Sequence, residues 1–194
     1  MEHCFAGVRE KLTPAAEAIR VDNAIELRPV SVDDCDELYQ AIERNRARLR
    51  EWLPWAGLTF SRDELLHFLG EKEIENASRT SLTTHIRWQG ELCGAVGLHT
   101  IDARHRSSSI GYWLDRAYEG QGIMTRACRA MVTAGFESYG LHRIEIRCGT
   151  GNGRSSAIPR RLGFTEEGVL REAEWVAERW VDLRVFSMLK QDWK

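Results

Sequence analysis

The 194-residue sequence has no long apolar run and no paired cysteines. Its cysteines lie at positions 4, 35, 93, 128 and 148. None belongs to a C-x-x-C pair, which excludes the common zinc and redox motifs, and an odd, scattered set is typical of a reducing compartment. The first twenty residues are charged and lack the apolar segment of a signal peptide or a membrane span. We therefore expect a cytoplasmic protein.

Lysine is also scarce, with 4 residues against 23 arginines. Arginine suits phosphate recognition, although a bias in genomic base composition produces the same excess. The net charge of −2 argues against general binding to nucleic acid or another polyanion, which requires a clustered cationic face. Apolar residues make up 43% of the chain, an ordinary value for a globular protein, and the length suits one domain with a full core.

The order of predicted elements indicates the fold class. Residues 1–24 are expected to be an N-terminal extension, and residues 25–194 to form one domain. Residue patterns predict strands at 25–30, 81–88, 92–98, 107–114, 143–148, 164–170 and 182–189, and helices at about 32–49, 62–77, 122–139 and 154–162. The order β-α-α-β-β-β-α-β-α-β-β predicts an α/β (α+β) domain with a mixed sheet rather than an alternating doubly wound one.

Local signals support several of these boundaries. Ser31 and Ser61 are each followed three residues later by an acidic residue, Asp34 or Glu64, as in a capping box. A turn at residues 89–91 predicts a hairpin between the second and third strands. Gly163 is placed to end the last helix.

The most informative segment joins the strand at 107–114 to the helix at 122–139 through a turn that contains Gly120 and Gly122. A helix N-terminus presents unpaired N–H groups, and glycine lets a phosphate approach the backbone, while Thr125 adds a hydroxyl donor. The segment suits a pyrophosphate, although a tight turn without a ligand has the same spacing. A dinucleotide site is disfavoured because Thr125 stands where G-x-G-x-x-G requires a third glycine, and no Walker pattern occurs.

This turn resembles the signature Gln/Arg-x-x-Gly-x-Gly/Ala of the GNAT superfamily of N-acetyltransferases, which contacts the pyrophosphate of coenzyme A. Here it reads Glu119-Gly120-Gln121-Gly122-Ile123-Met124, in which Gly122 matches strictly and Glu119 and Met124 depart. Other similar segments are Ile110-Gly111-Tyr112-Trp113-Leu114, Asn152-Gly153-Arg154-Ser155 and residues 162–168. Asn45-Arg46 and Trp52-Leu53-Pro54-Trp55 resemble one branch, the bacterial ribosomal-protein N-terminal alanine/serine acetyltransferases. The resemblance covers residues 25–193.

The resemblance implies a GNAT-like mixed, mostly antiparallel sheet flanked by helices, with acetyl-CoA as co-substrate. The pantetheine arm is then expected beside the backbone of Tyr112, Trp113 and Leu114, where an N–H near Leu114 serves as the oxyanion donor. The other implied donor-site residues are Gly120, Gln121, Gly122, Ile123, Met124, Thr125, Asn152 and Ser155. A core role for the side chains of Trp113 and Leu114 is compatible with this, because backbone groups perform the recognition.

Acetyl transfer to an amine needs a base for the ammonium proton and an acid for the departing thiolate. The resemblance implies Ser155 as the acid and Glu174 as the base. The residues alone leave other interpretations open, because Asn152 also suits a helix N-cap and Glu174 a solvated surface. Glu172 would share a strand face with Glu174. Pro159 has no N–H, so the carbonyl of Ser155 lacks its helical donor.

The acceptor pocket is the least defined part of the site. Cys148 matches a cysteine near the thioester in some of this branch, and is either an acyl-enzyme nucleophile or a small buried side chain. Trp52, Trp55, Trp175 and Trp88 are candidate pocket walls, although tryptophan more often packs in a core. The six histidines follow no metal-ligand spacing, so we expect no metal.

The expected function is acetyl transfer from acetyl-CoA to a primary amine, by resemblance the N-terminal amine of a ribosomal protein. A small-molecule amine acetyltransferase and a non-catalytic acyl-CoA sensor stay open as alternatives, because a fold does not fix a function. The resemblance also implies a homodimer. We expect no direct binding to nucleic acid or membrane.

Overall fold

One eight-stranded sheet organises the computed structural model, which describes residues 17–57 and 61–194. The strands are Ile19–Arg20 (β1), Ile25–Pro29 (β2), Leu82–Trp88 (β3), Glu91–Asp102 (β4), Ser107–Leu114 (β5), Arg143–Gly149 (β6), Thr165–Val176 (β7) and Arg179–Leu189 (β8). They lie in the order β1-β2-β3-β4-β5-β6-β8-β7. All neighbouring pairs are antiparallel except β5 and β6, which are parallel. The predicted mixed, mostly antiparallel sheet is confirmed.

Helices cover both faces of the sheet. They are Cys35–Leu49 (α1), Arg62–Ser78 (α2), Ile123–Glu137 (α3) and Gly153–Arg161 (α4). In one apolar cluster, Met131 of α3 and Ile158 of α4 pack with Ile146 of β6. A second cluster contains Leu38 of α1 and Leu65 of α2. The two clusters bury the middle of the sheet from opposite sides, as a layered α/β domain requires.

Two hairpin turns place consecutive residues in the left-handed region of φ. Gln89 (φ 50°) and Gly90 (φ 92°) join β3 to β4, and Ala177 (φ 49°) and Glu178 (φ 60°) join β7 to β8. Positive φ at both central residues matches the twist of the strands that a two-residue turn connects. The first turn carries a glycine and is predictable. The second has neither glycine nor asparagine, so the sequence underestimates the length of β7 and β8.

The two predicted capping boxes have different outcomes. At the start of α2, Ser61 Oγ accepts from the N–H of Glu64 at 3.2 Å, and the Glu64 carboxylate accepts from the N–H of Ser61 at 2.6 Å. That box is confirmed. Ser31 Oγ instead accepts from the N–H of Asp33 at 3.3 Å, because a short 3-10 turn precedes α1. The predicted box with Asp34 is wrong, since the Asp34 carboxylate is turned towards β3.

The predicted order of elements is confirmed with one addition, the short strand β1. Its residues Ile19 and Arg20 pair with Leu27 and Glu26 of β2. Residues 1–16 of the expected N-terminal extension lie outside the described residues, and the boundary at residue 25 stays a prediction. Within the two described ranges, none of the helices has the length and apolar content that crossing a membrane requires.

A buried ionic network joins the beginning of α1 to β3. Asp34 Oδ2 lies 2.8 Å from Nδ1 of His85, and Asp34 Oδ1 accepts from Nη2 of Arg87 at 2.7 Å. Arg87 also donates to Glu37 at 2.9 Å. The hydrogen bond with His85 and the neighbouring positive charges hold the pKa of Asp34 at about 2, although burial acts to raise it. Removal of one member leaves the others buried without full compensation.

We expect Asp34→Asn to lower the free energy of unfolding by about 3 kcal/mol, because Arg87 and His85 lose a buried carboxylate partner. The folded-state pKa of about 2 lies below the ordinary 3.8. The carboxylate therefore stabilises the fold fully above that ordinary value, and its contribution is lost as the pH falls through the folded-state pKa. Urea unfolding at a series of pH values, from neutral down to the folded-state pKa of Asp34, measures both effects. The difference in free energy of unfolding between the wild type and Asp34→Asn should become smaller as the pH falls.

Asp36→Asn is the matched control for this prediction. Asp36 lies two residues away in α1, and its exposed carboxylate pairs with the exposed guanidinium of Arg62. Exposed ion pairs contribute little to the free energy of unfolding, so Asp36→Asn should lower it much less than Asp34→Asn does. If both variants lower the free energy of unfolding equally, or if the effect of Asp34→Asn does not depend on pH, the stabilising role of the Asp34 carboxylate is contradicted.

Candidate active site

The strands β5 and β6 separate before β5 ends. Their parallel pairing stops at Ile110 and Ile146, whereas β5 stays paired with β4 up to its last residue, Leu114. The N–H of Asp115 donates to a carbonyl of β4 at 2.7 Å. By the alternation of an antiparallel ladder, the backbone groups of Tyr112 and Leu114 face the other way, into the gap. The gap thus offers an extended ligand backbone groups that the β5–β6 ladder does not use.

The glycine turn lies at the end of β5 and opens α3. Gly120 (φ 78°) and Gly122 (φ 71°) are left-handed, and a Cβ at either would meet no atom within 4 Å. The N–H of Arg126 donates to the carbonyl of Gly122 at 3.2 Å. The N–H groups of the three residues before it, up to Thr125, have no intrahelical acceptor. This open, glycine-lined N-terminus fits an anionic group such as a diphosphate.

The two departures from the GNAT signature have structural explanations. Met124 is 7% exposed, and its side chain packs in the apolar cluster beneath α3 rather than in the turn. The carboxylate of Glu119 is bound by two arginines. Its Oε1 accepts from Nη1 of Arg48 in α1, and its Oε2 accepts from Nη1 of Arg154 in α4 at 2.6 Å. The negative charge at this position is therefore compensated locally.

Helix α1 holds the segment between β5 and the glycine turn. The guanidinium of Arg44 binds the buried carboxylate of Asp115, and the amide oxygen of Asn45 accepts from the N–H of Arg116 at 3.0 Å. Arg48, one turn after Arg44, donates to the last carbonyl of β5 as well as to Glu119. Residues four apart lie on one helix face, so a single face of α1 positions this segment.

Tyr112 and Ser155 connect the two sides of the gap. The Tyr112 hydroxyl donates to the carbonyl of Ser155 at 3.0 Å, the carbonyl that Pro159 leaves without a helical donor. The Ser155 hydroxyl in turn donates to the Tyr112 oxygen at 3.2 Å. Burial raises the pKa of Tyr112 well above its usual range. Asn152 caps α4, because its side-chain oxygen accepts from the N–H of Ser155 at 3.0 Å. The predicted N-cap role of Asn152 is confirmed.

Cys148 lies beside this pair and is buried. Its Sγ is 3.2 Å from the hydroxyl oxygen of Ser156, and that hydroxyl donates to the carbonyl of Asn152 at 3.0 Å. Since Ser156 has one proton to donate, the thiol of Cys148 is the donor in their contact. Burial raises the pKa of Cys148, against the lowering effect of nearby hydroxyls. A buried, protonated thiol is a weak nucleophile.

Glu174 and Glu172 are separated by the irregular ladder between β7 and β8. The register shifts between Leu170 and Glu174, and Glu172 has a φ of 49°. The expectation that the two glutamates share a regular strand face is therefore wrong. Glu172 is exposed, and its N–H donates to Asp182 at 2.8 Å, whereas Glu174 is partly buried. Burial raises the pKa of Glu174.

Glu174 lies opposite Val181, which approaches the end of β6. A Cβ at Gly149 would lie 3.2 Å from the Val181 side chain and 3.0 Å from the ring of Trp52. Arg179 is placed over the same ring at 5.7 Å. Trp52 therefore packs against the end of β6 and the beginning of β8.

The other predicted tryptophans lie elsewhere. Trp55 packs against the cluster of α1 and α2, and Trp88 against the cluster of α3, so both have core contacts. Trp175 is 52% exposed and makes an edge contact with Trp180, with ring centroids 5.1 Å apart. Trp175 follows Glu174 on the strand and points to the opposite side of the sheet, so it does not bury that carboxylate.

Several site residues were missed by the sequence analysis. They are Arg44, Arg48 and Arg154, together with the hydroxyl of Tyr112, whose backbone alone was predicted to take part. The only available signal was the i,i+4 spacing of Arg44 and Arg48, which is also ordinary for a solvated helix face. In the part of the chain that the structure describes, no group of three His, Cys, Asp or Glu side chains is arranged to hold a metal ion.

The gap between β5 and β6 and the glycine turn at the N-terminus of α3 lie together, as the resemblance to acyltransferases that take their acyl group from coenzyme A implies. The chain belongs to the GNAT acetyltransferases, whose domain family, described as "Acetyltransferase (GNAT) domain", matches residues 24–165. It is accordingly an acetyl-CoA-dependent N-acetyltransferase.

Several similar proteins are described as ribosomal N-acetyltransferases. The chain is 34% identical over 176 residues to a putative ribosomal N-acetyltransferase, YdaF, of Bacillus subtilis, covering 90% of this chain and 96% of the relative. It is 28% identical over 173 residues to the ribosomal-protein-serine acetyltransferase of Escherichia coli, covering 89% and 97%. The structure of RimL, a ribosomal L7/L12 alpha-N-protein acetyltransferase in complex with coenzyme A, superposes with a TM-score of 0.86 at 28% identity, covering 89% and 98%.

We expect Tyr112→Phe to lower the free energy of unfolding by about 1–2 kcal/mol, because the partly buried carbonyl of Ser155 loses its donor. Pro159→Ala introduces an amide N–H that can donate to the same carbonyl. In the Pro159→Ala background, Tyr112→Phe should therefore lower the free energy of unfolding by less than it does in the wild type. Urea unfolding of the wild type, the two single variants and the double variant measures this coupling.

Tyr118→Phe serves as the matched control. Within the described ranges the structure gives the Tyr118 hydroxyl no hydrogen bond, so this variant should change stability little. If Tyr112→Phe lowers the free energy of unfolding equally with and without Pro159, the Tyr112 hydroxyl does not compensate for the hydrogen-bond donor that Pro159 lacks.

Proposed function

We propose that this enzyme transfers acetyl from acetyl-CoA to the N-terminal amine of a ribosomal protein. The observation that carries the proposal is the likeness to ribosomal N-acetyltransferases, which extends over about nine-tenths of the chain and so includes the acceptor side. The free edge of β7 also favours an open acceptor site, which suits a polypeptide better than a small amine. A ribosomal acceptor places the enzyme in the cytoplasm.

The donor site in this proposal is the gap and the glycine turn. Backbone groups of Tyr112 and Leu114 hold the pantetheine arm, and the N–H groups at the start of α3 hold the diphosphate. Gln121, Ile123 and Thr125 belong to the same turn and first helical turn. Asn152 acts indirectly, because its cap fixes the first turn of α4 and so the position of Ser155.

Glu174 is the proposed base. An α-amine with a pKa of about 7.7–8.0 is mostly protonated at neutral pH and must lose a proton before it attacks the thioester. Burial raises the pKa of Glu174, which brings its basicity closer to that of the amine. Glu172 is exposed, and its backbone is tied to Asp182, so it is less suited to this role.

The remaining steps use Leu114 and Ser155. The N–H of Leu114, which faces the gap, stabilises the oxyanion that forms when the amine attacks the thioester carbonyl. The hydroxyl of Ser155 donates its proton to the departing thiolate, for which it rotates away from Tyr112, and it regains a proton from the nitrogen that becomes the amide. Transfer is direct within a ternary complex, because the thiol of Cys148 is buried and protonated.

Intact-mass spectrometry tests the acceptor. The unmodified ribosomal stalk protein of the same organism, incubated with enzyme and acetyl-CoA, should gain one acetyl group on its N-terminal amine. Glu174→Gln should lower kcat/KM about 100-fold, because the base is lost while size and hydrogen bonding are kept. Ser155→Ala should lower it by a similar or smaller factor.

Glu172→Gln is the control for the base, and its rate should stay within about threefold of the wild type. A loss with Glu172→Gln instead of Glu174→Gln would move the base to Glu172. No added acetyl on the stalk protein, with coenzyme A bound, would overturn the ribosomal assignment and favour a small amine.

We also infer that the enzyme is a homodimer. Support comes from the apolar side chains that the structure leaves exposed, including Val169 and Leu170 on the edge strand β7 and Ile74 on α2. Sedimentation velocity over a hundredfold concentration range should show a dimer at the upper end. A single monomer species at every concentration would remove this inference.

A further inference from the structure

Three charged side chains meet at the mouth of the β5–β6 gap. Glu119, Arg48 and Arg154 form this group, which we name the arginine clasp. Its carboxylate lies at the position where the GNAT signature has glutamine or arginine. Glu119 and Arg48 are largely enclosed, with side chains 26% and 30% exposed, whereas the side chain of Arg154 is 81% exposed. One arginine of the clasp, Arg48, is therefore held in place, whereas the other, Arg154, is exposed to solvent.

The clasp crosses the opening through which a ligand enters the gap. Glu119 follows β5 and precedes the glycine turn, and Arg154 lies in the first turn of α4, which follows β6. The ion pair between them, at 2.6 Å, thus joins the two sides of the gap beside the N-terminus of α3. An anion that approaches the N–H groups of α3 arrives next to both arginines.

Arg48 is anchored at two points. It donates to Glu119 and to the carbonyl of Leu114, and its Nε–H is buried without an acceptor among the described residues. These contacts keep the Glu119 carboxylate in place. Arg48 and Glu119 neutralise each other, so the charge of Arg154 is the one that the clasp can offer to a ligand.

The exposed ion pair is easily exchanged. A pair between solvent-accessible groups contributes little free energy, while a guanidinium binds phosphate oxygens through parallel, charge-assisted hydrogen bonds. A diphosphate at the start of α3 also carries more negative charge than one carboxylate. Arg154 therefore gains by changing partner when such a group binds.

We propose that the arginine clasp belongs to the donor site, that Arg154 leaves Glu119 to bind the diphosphate of acetyl-CoA, and that Glu119 competes with the diphosphate for Arg154. The carboxylate keeps Arg154 near the turn and weakens the binding of both the donor and the coenzyme A that is released. Arg154 is a binding residue, and Glu119 and Arg48 are positioning residues.

Isothermal titration with coenzyme A, without any acceptor protein, tests this proposal. Arg154→Gln should raise the Kd roughly tenfold, as expected for loss of a charged hydrogen bond. Glu119→Gln should lower the Kd roughly threefold, because the competing carboxylate is removed. Arg154→Gln should raise the Kd by a larger factor in the Glu119→Gln background than in the wild type. Arg62→Gln, which removes another arginine paired with a carboxylate, should leave the Kd unchanged.

A merely structural role of the clasp gives the opposite pattern. Glu119→Gln would then weaken binding, and Arg154→Gln would have no additional effect in that background, and either result would overturn the proposal. Dephospho-coenzyme A separates the two phosphate sources: the effect of Arg154→Gln should persist with it. An effect that disappears assigns Arg154 to the 3′-phosphate and contradicts the role at the diphosphate.

Circular dichroism and thermal melting confirm that each variant is folded, which the exposure of Arg154 favours. The titration requires donor binding only. A chain that binds coenzyme A in the expected order but does not acetylate the stalk protein leaves the clasp supported and the ribosomal acceptor rejected.

Discussion

The separation of β5 from β6 is the constraint on which the whole site depends. β5 is held on its other edge by β4 up to Leu114, so it continues straight while β6 diverges. The divergence exposes backbone groups on β5, places the glycine turn at the end of the opening, and brings α4 to its other side. Trp52 packs against Gly149 where β6 leaves, at a distance that admits no larger residue without a shift. In the proposed function, the donor and acceptor sides meet at this point because the strands separate there.

The separated strands are reconnected by polar side chains, and these contacts use places where regular structure is incomplete. Pro159 removes one hydrogen bond from α4, and the Tyr112 hydroxyl from β5 supplies the missing donor. The last carbonyl of β5 has no partner in β6, and Arg48 donates to it. Buried or partly buried polar groups need hydrogen-bond partners. Each backbone carbonyl that lacks its regular helix or strand partner therefore binds a side chain from another element of the site.

The sequence predicted the order of elements from local patterns, and its resemblance to the GNAT superfamily predicted the mostly antiparallel sheet. Alternating strands, helical spacing and the Ser61 capping box gave the order of elements, and the glycine turn indicated the donor site. It did not predict what long-range contacts decide. Asp34 serves a buried network instead of a cap, because its partners lie about fifty residues away. The different exposure of Glu172 and Glu174 depends on an irregular ladder that two-residue periodicity cannot show. The compensation of Glu119 depends on arginines from two helices distant in sequence.

Helix α1 makes its contacts with the two halves of the site through different residues. Arg44, Asn45 and Arg48 hold the segment before the glycine turn, whereas Arg46 donates to the carbonyl of Ala56 in the segment after α1 that carries Trp52. Because the anchors do not overlap, substitutions that remodel one segment leave the other in register. Under the proposed function, this separation lets substitutions on one side of α1 change the amine that is modified without changing how the acyl donor is bound.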